Sequence, residues 1–303
     1  MDDVKKVLIL MSTYNGEEKI IKQVDSILNQ INVNVEILIR DDGSDNKTLE
    51  ILRAVEHKDA RVRVQYANNI GWKRSFLDLV YSCPLDYDYF GFSDQDDIWF
   101  KDKVYSLISL MESDNDNKVK LGHCNSLSVD KEMRKREEQE QRCPCPSNFK
   151  TAIATEFFQG CGMIWNNKAM SLIRQYRPQN SDLSHDYWVG LICYIFGNVY
   201  FCEEPKFYHV RYDENSSEDG NVCKGRIKRF KQFLSGKPTY MNPALDLAIG
   251  YSKELNEEQR LFINRIIDYK NGKKCKLLMD KDFRRPSLIS TILFKLSILI
   301  NKY

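Results

Sequence analysis

Short apolar runs alternate with amphipathic stretches through the first hundred residues, and most of these runs break into a polar loop. Residues 4–11 (VKKVLILM) end at STYNG, 35–39 (VEILI) at DDGSD, and 87–92 run into SDQDD. Between the first two runs, residues 17–30 place Ile20, Ile21, Val24, Ile27 and Leu28 at helical spacing. Residues 48–55 and 75–81 read as further helices, and 62–66 as another strand, followed by ANNIGWK. Strands alternating with helices predict an α/β fold with a mixed, mainly parallel sheet flanked by helices. Ligands bind outside the carboxyl ends of strands in such sheets, so STYNG, DDGSD and SDQDD are expected at one rim.

Beyond this region the pattern predicts a helix at 102–111 and a strand at 120–129, then a charged, Cys/Pro-rich surface excursion over 130–149. Residues 151–165 read as strand, glycine turn and strand. An apolar helix spans 185–196, and a short strand at 199–202 leads to FYHVRYDENSS. Past residue 213 the chain turns basic (KGRIKRFKQFLSGK, KNGKKCK) and then apolar.

With 42% hydrophobic and 29% charged residues, the composition is that of a soluble globular chain. A net charge of only +2 argues against a global nucleic-acid footprint, so no nucleic-acid partner is expected. The nine cysteines follow no metal-ligand spacing, and Cys143 and Cys145 lie too close to pair comfortably. Each is read as a buried or idle thiol. The acidic start with its short apolar run reads as a strand rather than a signal peptide, and free thiols then predict a cytoplasmic setting.

Three carboxylates in four positions, Asp94, Asp96 and Asp97, repel one another. A divalent cation such as Mn²⁺ or Mg²⁺ would resolve this, because carboxylate oxygens suit such ions and Mg²⁺ sites combine one or two carboxylates with substrate phosphates. The alternative is an acidic turn in which Asp97 caps the next helix. Asp42 is the candidate in DDGSD for a base or ribose contact; otherwise DDGSD is only a turn, with Gly43 at positive φ. Asp186, beside an apolar helix, is either a proton acceptor or a helix-end charge. His209 and Arg211 follow a strand within reach of a phosphate or a metal.

Taken together, STYNG (12–16), DDGSD (41–45), NNIGWKRSF (68–76), SDQDDIW (93–99), FFQGCGMIWN (157–166), HDYW (185–188) and YHVRYDENSS (208–217) resemble the family 2 glycosyltransferases of the GT-A fold, particularly bacterial rhamnosyltransferase-like members. The resemblance covers about residues 4–217. It implies a GT-A-like domain at 1–217 and a basic, mainly helical extension at 218–303. It also implies inverting transfer of a sugar from a nucleotide-diphosphate donor, dTDP-rhamnose or a UDP-hexose, to a hydroxyl of a surface polysaccharide or its lipid-linked precursor. Asp186 would be the base, Asp96 the main metal ligand, and Asp94 a neighbour of the donor and the metal. Thr13, Tyr14 and Asp42 would line the nucleotide pocket, with Lys73 near a phosphate. Relatives often read Tyr-Arg-x-His where this chain reads Tyr208-His209-Val210-Arg211. That exchange leaves either His209 at the metal or Arg211 at the diphosphate. A sugar nucleotidyltransferase and a non-catalytic assembly subunit are the rival readings.

Residues 287–300 (SLISTILFKLSILI) place Leu288, Ile289, Ile292, Leu293, Leu296, Leu299 and Ile300 on a broad helical face, with Arg284, Arg285, Lys295 and Lys302 around it. Such a helix suits an anionic membrane surface or, equally, a core or oligomer contact. The family resemblance favours the membrane, at its cytoplasmic face.

Overall fold

The structure, a computed structural model, describes residues 4–136, 145–155, 157–179, 183–212 and 241–301. Its strands are β1 (Lys6–Thr13), β2 (Asn34–Asp41), β3 (Val62–Tyr66), β4 (Tyr89–Ser93), β5 (Ile98–Trp99), β6 (Val119–Asp130), β7 (Met163–Asn166) and β8 (Gly197–Arg211). They form one sheet in the order β3-β2-β1-β4-β7-β6-β8-β5. β1 pairs parallel with β2 and β4, β2 with β3, and β6 with β8. The pairs β4–β7, β6–β7 and β5–β8 are antiparallel. The expected mixed, mainly parallel α/β sheet is therefore present.

Val7 to Met11 are all fully buried, which is why β1 reads as an unbroken apolar run rather than an alternating one. Helices cover both faces. Val7, Ile9 and Met11 pack with the helices Lys19–Leu28, Asn46–Lys58 and Lys103–Glu112. Leu8, Leu10, Phe90 and Phe92 face the helices Trp72–Ser82 and His185–Phe196. The sheet curls, so that β5 at its far edge returns to the first helix. There the Trp99 N–H donates to Ser26 Oγ at 3.1 Å.

The chain after residue 240 is helical and adds Leu247, Phe262, Phe283 and Phe294 to that second core. Polar ties join it to the rest. The Gln259 side chain donates to the Ile195 carbonyl at 2.7 Å, and Arg285 Nε to the Ala154 carbonyl at 3.1 Å. The basic stretch at 224–237 and Lys302 lie outside the described residues.

Two expectations change. The first half of 151–165 is not a strand: Phe149–Ile153 is a short helix, started by Asn148 Oδ1 accepting from Thr151 N at 3.0 Å. The short strand expected at 199–202 is instead the fifteen-residue β8, extended because β6 pairs along most of its length.

Candidate active site

β1, β2 and β4 run parallel side by side, so STYNG, DDGSD and SDQDD leave the sheet at the same edge. Hydrogen bonds stitch the three loops together. Tyr14 N donates to Gln95 Oε1 at 2.9 Å, and Gln95 Nε2 donates back to the Tyr14 carbonyl at 3.1 Å. Asn15 N donates to Ser44 Oγ at 3.0 Å, and Asp45 N to Asn15 Oδ1 at 2.9 Å. Gly16 leaves room for this bridge, because a Cβ there would stand 2.5 Å from Gln95 Oε1.

Asp41 organises its own turn. It accepts from Thr13 Oγ1 at 3.1 Å and from Ser44 N at 2.9 Å, with Gly43 at φ 79°. The buried Asp42 carboxylate accepts from Arg40 Nη1 (2.6 Å) and from the Ile70 and Gly71 amides (both 2.9 Å). Both Asp42 oxygens are thus engaged in holding the 68–71 loop. Thr13 is buried at the end of β1, whereas Tyr14 is half exposed above the rim.

Asp94 and Asp97 come together with the Cys161 thiol, all three ligand atoms lying within 4.8 Å of one another. Asp97 is 1% exposed, and neither of its oxygens finds an N–H or O–H donor. It does not cap the next helix, whose N-terminal flank is Asp102. Burial, with Asp96 and Asp186 adding to it, pushes the Asp94 carboxyl up to about 7. Burial and then the charges of Asp94 and Asp96 push Asp97 well above the usual range. Asp96 is also raised by burial, against the pull of Lys19 and Arg211.

The one internal cation facing Asp94 and Asp97 that the described residues provide is Lys103. It is fully buried, its ammonium donating to the Cys161 carbonyl and lying 3.0 Å from the Trp99 ring centroid. Burial lowers its pKa to about 8. One such charge does not balance two clustered acids. The Asp94 and Asp97 carboxylates, which meet no N–H or O–H donor at Asp97 and share the space only with the Cys161 thiol, fit a divalent cation; Asp96, expected as its main ligand, is not part of this group.

The helix His185–Phe196 brings Asp186 to this cluster, close enough for its charge to act on Asp94. Asp186 Oδ1 accepts from Ser184 Oγ and from Tyr187 N (2.8 Å). Among the described residues Oδ2 accepts no hydrogen bond. His185 is buried with both ring nitrogens unpartnered, stacked on Phe76 at 4.0 Å and edge-on to Phe92 at 4.5 Å. Desolvation lowers its pKa to about 4, which keeps it neutral. Lys73 lies near enough to contribute to that shift. His209 Nδ1 meets Gln159 Nε2 at 2.9 Å and is not part of the Asp94–Asp97–Cys161 group, while Arg211 acts on Asp96 through its charge.

Sequence reasoning missed Gln95, Lys103, Cys161 and His185. Lys103 did carry a signal: it shares a helical face with Leu107 and Met111, an odd position for a lysine. Cys161 sits between Gly160 and Gly162, which allow the close approach. A Cβ at 160 would stand 2.8 Å from His185 Nε2, and one at 162 would stand 3.0 Å from the Cys124 carbonyl.

The chain is similar to several glycosyltransferases. The dTDP-rhamnosyl transferase RfbG of Shigella flexneri is 38% identical over 111 residues, covering 35% of this chain and 38% of that protein. The UDP-Glc:alpha-D-GlcNAc-diphosphoundecaprenol beta-1,3-glucosyltransferase WfgD of Escherichia coli is 34% identical over 119 residues, covering 38% of this chain and 44% of that one. The matched stretches span less than half the length of these relatives. Among solved structures, S. aureus TarS residues 1–349 with UDP-GlcNAc aligns with a TM-score of 0.58 at 14% identity, over 89% of this chain and 73% of that one. The mannosyltransferase PcManGT of Pyrobaculum calidifontis, with GDP-Man and Mn²⁺, gives 0.52 at 14% identity, over 100% of this chain and 82% of that one. The fold is that of the GT-A glycosyltransferases. The family model described as glycosyl transferase family 2 matches residues 8–172, more than half of the sequence, and the chain belongs to that family.

Proposed function

We propose that the protein transfers a sugar, with inversion, from a nucleotide-diphosphate donor to a hydroxyl of a bacterial surface polysaccharide or its lipid-linked precursor. The observation that carries this reading is the meeting of two differently held acids at one rim. Asp186 keeps one oxygen free on a helix end, facing the carboxylate cluster that follows β4. dTDP-rhamnose or a UDP-hexose is the donor class favoured by the names of the similar proteins.

Asp186 would take the acceptor hydroxyl's proton as that oxygen bonds to the anomeric carbon. The bond from that carbon to the diphosphate oxygen breaks with its electron pair, and the nucleoside diphosphate leaves. Asp94 and Asp96 would hold Mn²⁺ or Mg²⁺, with Asp97 and Cys161 behind them. Such an ion supplies positive charge for the departing diphosphate. Thr13 and Tyr14 would line the nucleotide pocket, and Asp42 would shape it by fixing the 68–71 loop. Lys73 and Arg211 would attract the diphosphate, and His209 would orient Gln159 beside it. The C-terminal helix belongs to the same proposal, seating the transferase domain at the inner membrane face.

The test is Asp186→Asn, assayed for transfer and, separately, for thermal stabilisation by UDP-glucose or dTDP-rhamnose with Mn²⁺. Transfer is expected to vanish while stabilisation persists. Undiminished transfer would remove Asp186 as the base. Release of pyrophosphate instead of nucleoside diphosphate would point to nucleotidyl transfer.

A further inference from the structure

Trp72 differs from the other three tryptophans. Trp99, Trp165 and Trp188 are at most 4% exposed, whereas Trp72 is 54% exposed. Yet its position is well determined. Gly71 just before it has φ 84°, and its amide is held by Asp42 Oδ2 at 2.9 Å. One helical turn later Phe76 stacks on the buried His185 imidazole, while Trp72 meets the same imidazole edge-on at 5.7 Å. His185 directly precedes Asp186, and Gly160 packs against both. A half-exposed indole therefore stands beside the proposed base, aimed by the rim rather than buried by the core.

We propose that Trp72 is a stacking platform for the pyranose ring that reacts at Asp186, positioned by the Asp42–Gly71 hydrogen bond. This rests on the sugar-transfer reading above. A pyranose presents one face of C–H groups, and the electron-rich face of an indole attracts those hydrogens while excluding water. The stacked ring is either that of the donor or that of the acceptor; the chemistry is shared.

Because the other tryptophans are buried, acrylamide quenching of intrinsic fluorescence reports almost wholly on Trp72. It would be measured on the full chain with Mn²⁺ and UDP, dTDP, UDP-glucose, dTDP-rhamnose, or UDP or dTDP plus methyl rhamnoside. Shielding by the nucleotide sugars assigns the platform to the donor ring. Shielding that appears only when the free glycoside is added assigns it to the acceptor. In either case Trp72→Ala is expected to raise the KM for that sugar by roughly five- to tenfold, and Trp72→Phe to restore most of it. Equal shielding by UDP or dTDP alone would overturn the proposal, since the indole would then meet the base. So would a Trp72 that every ligand, the free glycoside included, leaves unshielded while a nucleotide sugar raises the melting temperature. If no nucleotide sugar raises it, the sugar-transfer reading itself fails and takes this inference with it.

Discussion

Burial lifts the Asp94 carboxyl to about 7, so in the metal-free protein it binds a proton that the unfolded chain would release near 3.8. The folded state then holds more protons across that window, and stability falls as pH rises from about 4 to 7. A bound dication favours the ionised acids and opposes the fall. Thermal melts are expected to show Mn²⁺ stabilising the protein more at about pH 8 than at about pH 5, with the contrast reduced in Asp94→Asn. An equal Mn²⁺ effect at both pH values would count against a cation at Asp94. His185 runs the other way. Its folded pKa of about 4 lies below the ordinary 6.5, so the unfolded chain binds the extra proton and stability is lost as pH falls through that interval. His185→Phe replaces a buried imidazole that makes no hydrogen bond with a ring that cannot titrate, and should be more stable relative to the parent at about pH 5 than at about pH 8. A variant with the same acid profile as the parent would refute this. Acids at a strand end were legible in the sequence, because Asp94 and Asp96 follow an apolar run directly, whereas Asp186 opens an apolar helix and was singled out as a base only by the family resemblance. Lys103 showed only its odd place on a buried helical face, and its meeting with Cys161 was not legible, because it joins positions 58 residues apart. Asp42 was legible as a rim acid, but not its hold on Arg40 and the 70–71 amides.

Helix and strand periodicity identified β1 to β4 and the helices between them, since each buries one stripe or one continuous run. Periodicity could not describe 157–162, where the conformation follows from what approaches the chain. Residues 151–153 were misjudged because the β-branched Thr151 and Ile153 suit a strand, and the Asn148 cap decided for a helix. Gly160 is the clearest case of an outside constraint. The His185 ring that its Cβ would strike is fixed between Phe76 and Phe92 and cannot yield cheaply. Gly160→Ala is therefore expected to cost about 1–3 kcal/mol and to lower transfer by displacing Asp186. Urea unfolding and a transfer assay on the same sample check this. Unchanged stability would mean that the segment is looser than its packing implies.

At the scale of the whole molecule, the helix Leu288–Leu299 is anchored by Phe294 and Ile298 but leaves a large apolar face in water. Leu288 and Ile289 are more than 70% exposed, and Ile292, Leu293, Leu296, Leu299 and Ile300 lie between 42% and 52%. Exposed Met279 belongs to the helix packed beside it. Lys276, Lys281 and Arg284 are exposed in the same C-terminal segment. Contiguous apolar surface with basic residues nearby is what an interfacial helix presents to anionic lipid. Twelve residues span only about 18 Å, well short of a bilayer's hydrocarbon core. No described helix is long and apolar enough to cross a membrane. Wild-type protein is expected to co-sediment with vesicles containing phosphatidylglycerol, less so as salt rises, and poorly with phosphatidylcholine alone. Because Leu288 and Ile289 touch little of the core, changing both to Glu should weaken vesicle binding while leaving the melting temperature nearly unchanged. Sedimentation velocity separates the other use of this face. A wild-type dimer that ignores vesicles and dissociates in the double variant would make the helix an oligomer contact rather than a membrane one.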